Sequence, residues 1–134
     1  MADLMAATSS TRARVTDPDA VEELCDSYSF EPIRWQITDQ NEIAFWGYET
    51  FNVFRRCENG DRDEEYGLAT REFLWDLAEY ITEGEELDIQ IAGYTKFRFP
   101  MHAERWIVRL DEVRHADLYG NEAVERPGAE ASQR

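Results

Sequence analysis

The sequence predicts an α+β fold, with an antiparallel sheet of about five strands and two helices on one face. Two segments have apolar residues at helical spacing, several runs alternate apolar and polar residues, and short polar turns join neighbouring runs. The predicted order is β-α-β-β-α-β-β, and helices separated by hairpins favour antiparallel pairing. Its first six elements match the ferredoxin-like order, which hosts many unrelated activities.

The two helices are predicted from their end signals and apolar stripes. After a short strand over residues 12–16, Asp17-Pro18 predicts a helix start, because aspartate caps an N-terminus and proline fits the first helical position. This helix extends to about Ser27. A second helix is expected from about Thr70 to Glu83, with Gly84 as its C-cap.

The strands are predicted from alternation. Residues 33–38 and 43–48 alternate around the polar turn 39–41, which indicates a β-hairpin. Alternation returns over residues 87–99, followed by a predicted turn at residues 100–102. A final strand is expected at residues 103–110.

The chain is expected to form one domain with loose ends. Its 134 residues suit a single domain, which we place at residues 12–118. The small and polar residues 1–11 predict a flexible N-terminus. Residues 119–134 predict a disordered acidic tail.

The charge composition indicates adaptation to concentrated salt. The net charge is −15, from 29 acids and 14 bases, and Lys96 is the only lysine among those bases. Guanidinium is more weakly hydrated than ammonium, and crowded carboxylates repel one another unless salt screens them. The composition resembles that of proteins from salt-in halophiles, such as haloarchaea and their viruses. A mesophilic acidic protein encoded by a GC-rich genome is the alternative.

Several protein classes are disfavoured by what the sequence lacks. No run approaches the roughly 18 apolar residues of a membrane span, and residues 1–10 lack the basic start of a signal peptide, so we expect a cytoplasmic protein without a membrane partner. Cys25, on an apolar helix face, and Cys57, in a charged loop, form no CxxC motif. The sequence leaves open whether the two cysteines pair.

One segment reverses the charge of the chain. Residues 96–115 carry five bases and three acids. If Phe97, Phe99, Trp106 and Val108 point to the core, their neighbours share an open sheet face. Basic and aromatic sheet faces bind single-stranded nucleic acid, but arginine stems also cover apolar surface and pair with acids. The candidate binding residues are Tyr94, Lys96, Arg98, Arg105, Arg109 and Arg34.

A second candidate surface is aromatic. Strand alternation should bury about half of the aromatic residues between positions 35 and 54. If Trp46 and Tyr48 are instead exposed beside Ala44, they form an apolar patch of the kind that marks an interface.

The remaining polar motifs predict no catalytic, metal or cofactor site. His102 and Glu104 form the His-x-Glu start of the zinc deaminase signature, but its Pro-Cys-x-x-Cys partner is missing, and His115 is isolated in the sequence. The acid run at Asp61, Asp63, Glu64 and Glu65 lacks the calcium-loop pattern. No Walker loop, GxGxxG, GxSxG or HExxH motif occurs.

These observations leave three functional hypotheses. The leading one is a non-enzymatic protein-binding or assembly module that uses its open sheet face and edge to contact another protein or a second copy. The second is a nucleic-acid-binding accessory protein that uses Lys96, Arg98, Arg105 and Arg109. The third is a small enzyme.

Overall fold

The computed structural model describes residues 4–30, 32–95, 100–117 and 120–124. Within these ranges the chain forms helices α1 and α2 and strands β1 to β10. Their bounds are β1 Leu4–Ser10, β2 Ala13–Arg14, α1 Pro18–Asp26, β3 Tyr28–Ser29, β4 Arg34–Ile37, β5 Glu42–Gly47, β6 Phe54–Arg55, α2 Thr70–Ala78, β7 Leu87–Thr95, β8 Pro100–Arg109, β9 Glu112–Asp117 and β10 Gly120–Ala123.

Eight of the strands form one antiparallel sheet. β1 and β2 follow each other along one side of β5, and β4 pairs with its other side. The sheet is therefore seven positions wide, in the order β10-β9-β8-β7-β1/β2-β5-β4. The short β3 and β6 form a separate pair. The predicted α+β class and antiparallel sheet are confirmed, but the expected number of about five strands was too low.

The ferredoxin-like order is not confirmed by this larger sheet. β8, β9 and β10 extend it beyond β7, and the β3–β6 pair has no counterpart in the predicted order. The expected turn at Pro100–His102 is also wrong, because β8 already begins at Pro100 and these residues pair with β7.

Described segments from both predicted flexible ends belong to the sheet. Leu4–Ser10 forms β1 between β5 and β7, so pairing on both sides holds a segment whose small side chains alone predict little order. Gly120–Ala123 pairs with β9, and Val124 is buried beside it. The predictions for residues 1–3, 118–119 and 125–134 lie outside the described residues.

The helices begin where the sequence predicts. Asp17 Oδ1 accepts a hydrogen bond from the Ala20 backbone N–H at 3.1 Å, which caps α1. α2 ends at Ala78 rather than Glu83, because the chain leaves the helix to form a bridge between Ile81 and Val15.

An aromatic cluster fixes α2 over one face of the sheet. Phe73 is fully buried, and the centroid of its ring lies 4.8 Å from the ring centroid of Phe30, 5.3 Å from that of Tyr28 and 6.0 Å from that of Phe45. Alternate strand residues complete the core, and α1 contributes its own buried face to it. These are Ile43, Phe45, Leu87, Ile89, Trp106 and Val108 from the strands, and Val21 and Cys25 from α1. The opposite side of the sheet is the open face described below.

Neither α1 nor α2 is long and apolar enough to cross a lipid bilayer, and the described residues contain no other α-helix.

Candidate functional site on the open sheet face

The open face is defined by strand residues that project away from the helices. Directly paired residues on antiparallel strands project to the same side, so the register sets rows across this face. One row runs from Arg34 through Trp46, Ser9 and Gln90 to Arg105. Among the described residues, no helix packs against this row, and Ser9, Gln90 and Arg105 are exposed.

A shallow trough runs across the open face. It consists of two depressions, of about 520 Å³ and about 590 Å³, which share Ala7 and Ser9. The floor is made of small side chains from four neighbouring strands, so nothing large fills it from below. Its floor residues are Ala7, Ser9, Ala92, Ala103 and Ala116.

The β4–β5 end of the trough is aromatic. Tyr48 is 94% exposed and Trp46 is 41% exposed, and both lie beside Pro32, Gly47 and Arg34. Exposed tryptophan, tyrosine and arginine are the residues most enriched where binding energy concentrates. Trp46 and Tyr48 are therefore exposed, as the interface hypothesis requires, while the interface itself stays a prediction.

The β8–β9 end of the trough is lined by small side chains and Arg105. Glu104 and Asp117 also border it, but they pair with each other one residue away from the row of Arg105, so their side chains project to the helix side. There the buried Trp106 donates a hydrogen bond to Glu104. Among the described residues, the charged side chains that project into the trough are therefore Arg34 and Arg105, in a chain of net charge −15.

The basic residues predicted for this face are largely paired with acids. Arg105 binds Asp88 through two hydrogen bonds, Nε to Oδ1 at 2.9 Å and Nη2 to Oδ2 at 2.6 Å. Asp88 is only 7% exposed, and the hydrogen bonds from Arg105 lower its pKa below the ordinary range. Arg109 Nε donates to Glu86 at 2.7 Å.

The remaining candidate binding residues are Arg34, Lys96, Arg98 and Tyr94. Arg34 is exposed and makes no ion pair with any described residue. Lys96 and Arg98 lie outside the described residues. The backbone of Tyr94 belongs to β7, but its side chain is not described. The structure therefore places Arg34, Arg105 and Arg109 on one sheet, with Arg34 beside the aromatics and the other two in local ion pairs.

No protein-family model matches the chain, and no curated protein or solved structure matches it either. A function can therefore be inferred only from the chemistry of its own residues.

A polar cluster lies on the helix side of β8 and β9. Trp106 Nε1 donates to Glu104 Oε1 at 3.1 Å, and the His115 ring stacks on the Trp106 ring with centroids 4.0 Å apart. His115 Nε2 is buried 3.4 Å from Glu104 Oε1, without hydrogen-bond geometry. The sequence separates these residues, and only the β8–β9 register brings them together. The side chain of His102 is not described.

The acid run of residues 61–65 belongs to a loop held by a three-residue clasp. Arg55 pairs with Glu72 and covers the Tyr66 ring at 4.0 Å, while the Tyr66 hydroxyl donates to Glu72. Burial alone would raise the pKa of Glu72, but these two hydrogen bonds outweigh it and lower the pKa. Across the described residues, no three His, Cys, Asp or Glu side chains lie close enough together to hold a metal ion.

The two cysteines do not pair. Cys25 is buried in the core and Cys57 is exposed in the loop, and both are free. Burial, assisted by Asp26 and Glu22, raises the pKa of Cys25 to about 12, so its thiol stays protonated and inert at neutral pH.

Proposed function

We propose that this protein is a non-enzymatic protein-binding module whose contact surface is the trough. The observation that carries the proposal is that, among the described residues, the side chains that project into the trough include no carboxylate, in a chain of net charge −15. Unpaired carboxylates keep surfaces hydrated and apart. A surface without them, with a small-residue floor and an aromatic rim, is suited to contact with another protein.

The aromatic end supplies the anchoring side chains. Tyr48 and Trp46 present large areas with little conformational freedom to lose, and Arg34 can stack or donate bidentate hydrogen bonds beside them. We therefore expect the aromatic end to contribute most of the binding free energy.

The ion pairs favour a protein over nucleic acid as the partner. Phosphate binding requires bases that can exchange their counterions for phosphate. Arg105 and Arg109 already have carboxylate partners, Asp88 and Glu86, and a phosphate would have to compete with both.

We also propose that the protein works in concentrated salt. High salt screens the carboxylates of the acidic surface, and burial of apolar surface does not depend on charge attraction. Binding at the trough should therefore persist in molar KCl, where binding to an anionic polymer would be lost.

For the fold, we infer a ferredoxin-like centre within the sheet. The neighbouring strands β4, β5, β1 and β7, with α1 and α2 between them in sequence, follow the order of that fold. β8, β9 and β10 would then be an extension, and this extension supplies Ala103, Arg105 and Ala116 to the trough.

Photochemical cross-linking tests the proposed function. A photoreactive phenylalanine analogue replaces Tyr48 in the full chain, and a matched chain carries it at Leu110, an exposed position (38%) outside the trough. In molar KCl, we expect a cross-linked adduct between this chain and its partner from position 48 only. The adduct should be sensitive to protease and resistant to nuclease, and it should disappear when Trp46→Ser is added. Adducts of equal yield from both positions, or a nuclease-sensitive adduct, would contradict the proposal.

A further inference from the structure

We propose that the partner in the trough is a second copy of this chain, placed so that the aromatic end of each protomer fills the small-residue floor of the other. This inference rests on the proposed function, because it concerns the same trough. It follows from the unequal ends of the trough, from the lack of carboxylates among the described side chains that project into it, and from the size of the face.

The two ends are complementary in shape. At one end, Trp46 and Tyr48 project from the β5 side. At the other, Ala92 on β7, Ala103 on β8 and Ala116 on β9 leave a depression of about 520 Å³. A two-fold axis parallel to the strands, between β1 and β7, lays the β5 side of one protomer over the β8 side of the other. Two-fold symmetry makes this contact twice, once for each protomer.

The charges of the face do not oppose this pairing. Arg105 is already bound to Asp88 of its own protomer, and Glu104 projects to the helix side with Trp106. Arg34 neighbours Trp46 in the same row, so it accompanies the aromatics to the facing protomer. The pair therefore brings together described trough side chains that carry no unpaired carboxylate.

The face is large enough for a stable pair. The two-fold axis overlaps six of the seven strand positions, β4 to β9. Six positions at about 4.8 Å, and strands of six to nine residues at about 3.4 Å, give roughly 29 Å by 20–30 Å. The resulting 600–900 Å² is close to the roughly 800 Å² per partner that a standard interface buries.

A mixing experiment tests the arrangement with three full-length variants in molar KCl. Trp46→Ser removes the projecting side chain, and Ala92→Arg fills the depression at an exposed position that leaves the core unchanged. Leu110→Ser is the matched control, because Leu110 has a similar exposure to Trp46 and lies outside the trough. Mass is measured by size-exclusion chromatography with light scattering, and circular dichroism melting confirms that each variant is folded.

Wild type and Leu110→Ser should have twice the chain mass of 15.7 kDa. Trp46→Ser and Ala92→Arg alone should each dimerise about tenfold more weakly, or worse. Mixed together, they should form a heterodimer more readily than either forms a homodimer, since the intact Trp46 of one enters the intact depression of the other. Dimerisation of the wild type should strengthen from about 0.2 M to about 2 M KCl, as screening reduces the repulsion between two acidic chains.

Two results would overturn the inference. A monomeric wild type at all salt concentrations would exclude self-association, and a Trp46-dependent adduct with a different protein would then leave the proposed function intact. A dimer that is unaffected by Trp46→Ser and Ala92→Arg, or a mixture that gains nothing over the separate variants, would show that the copies associate elsewhere. If position 48 also gives no Trp46-dependent protein adduct, the proposed function itself fails.

Discussion

Removing the Phe73 side chain should be among the most damaging single changes to the fold. Phe73 is fully buried and is the ring that joins α2 to Tyr28, Phe30 and Phe45. Phe→Ala in a core costs about 3–5 kcal/mol, and loss of three ring contacts favours the upper part of that range. A loss of about 4 kcal/mol is a large share of the roughly 5–15 kcal/mol that stabilises a typical domain.

The corresponding thermal shift is measurable. At about 2.1 cal/mol/K per residue, 134 residues give an unfolding entropy of roughly 0.28 kcal/mol/K, so a loss of about 4 kcal/mol lowers Tm by roughly 14 °C. Circular dichroism melting in molar KCl measures the shift. Arg71→Ala is the control, because Arg71 lies on the same helix and is exposed. A Phe73→Ala shift no larger than that of the control would refute the assignment of this helix face to the core.

Three further predictions concern packing, salt and pH. Gly47→Ala should cost about 1–3 kcal/mol in urea unfolding, because its Cβ would lie 2.9 Å from Ile33 Cδ1 and 3.1 Å from Ile33 Cα; an unchanged midpoint would show that the backbone moves aside freely. The wild-type Tm should fall steadily from molar KCl to about 0.05 M, as screening is withdrawn from a net charge of −15; a constant Tm would argue against salt adaptation. Asp88→Asn should be less stable than wild type at neutral pH. Since Arg105 lowers the pKa of Asp88, this difference should persist above the ordinary pKa of about 3.9 and shrink as the pH falls towards the lowered value; a difference constant down to about pH 2 would show that the ionised pair contributes nothing.

Local signals were sufficient for the helices and the first hairpin. Asp17 and the following proline specify a helix start through one hydrogen bond and a fixed φ, both of which are local. The turn between β4 and β5 is also local, and Asn41 adopts the left-handed backbone there, at φ 62°. Such elements need no information from distant parts of the chain.

The strands that the sequence did not reveal depend on distant partners. β1 contains small and polar residues, yet β5 and β7, more than thirty residues away, supply its hydrogen bonds. The sequence of β9 shows little apolar–polar alternation, because His115, a polar residue, occupies a partly buried position against Trp106. Without these two strands, Ala7 and Ala116 could not be recognised as part of a trough floor.

The candidate charged face shows the same limitation. Alternation correctly predicted that Trp106 and Val108 are buried and that Arg105 and Arg109 are exposed. It could not show that Asp88 on β7 lies within hydrogen-bond distance of Arg105 on β8, since this depends on the register of the two strands. Counting charges along a segment therefore overestimated the free positive charge on the sheet.

The central position of β1 has a consequence for how this protein acquires its structure. β1 precedes the other described elements in the chain, yet it separates β5 from β7, and those strands do not pair with each other directly. During synthesis β1 leaves the ribosome before β5 and β7, so its hydrogen bonds to β5, and later to β7, form only after those strands have been made. Closing such long loops is slow, because the entropy is lost before the contacts form. Until then, the β4–β5 hairpin and the β7–β10 strands are two half-sheets with exposed edges, and β1 is the strand that joins them.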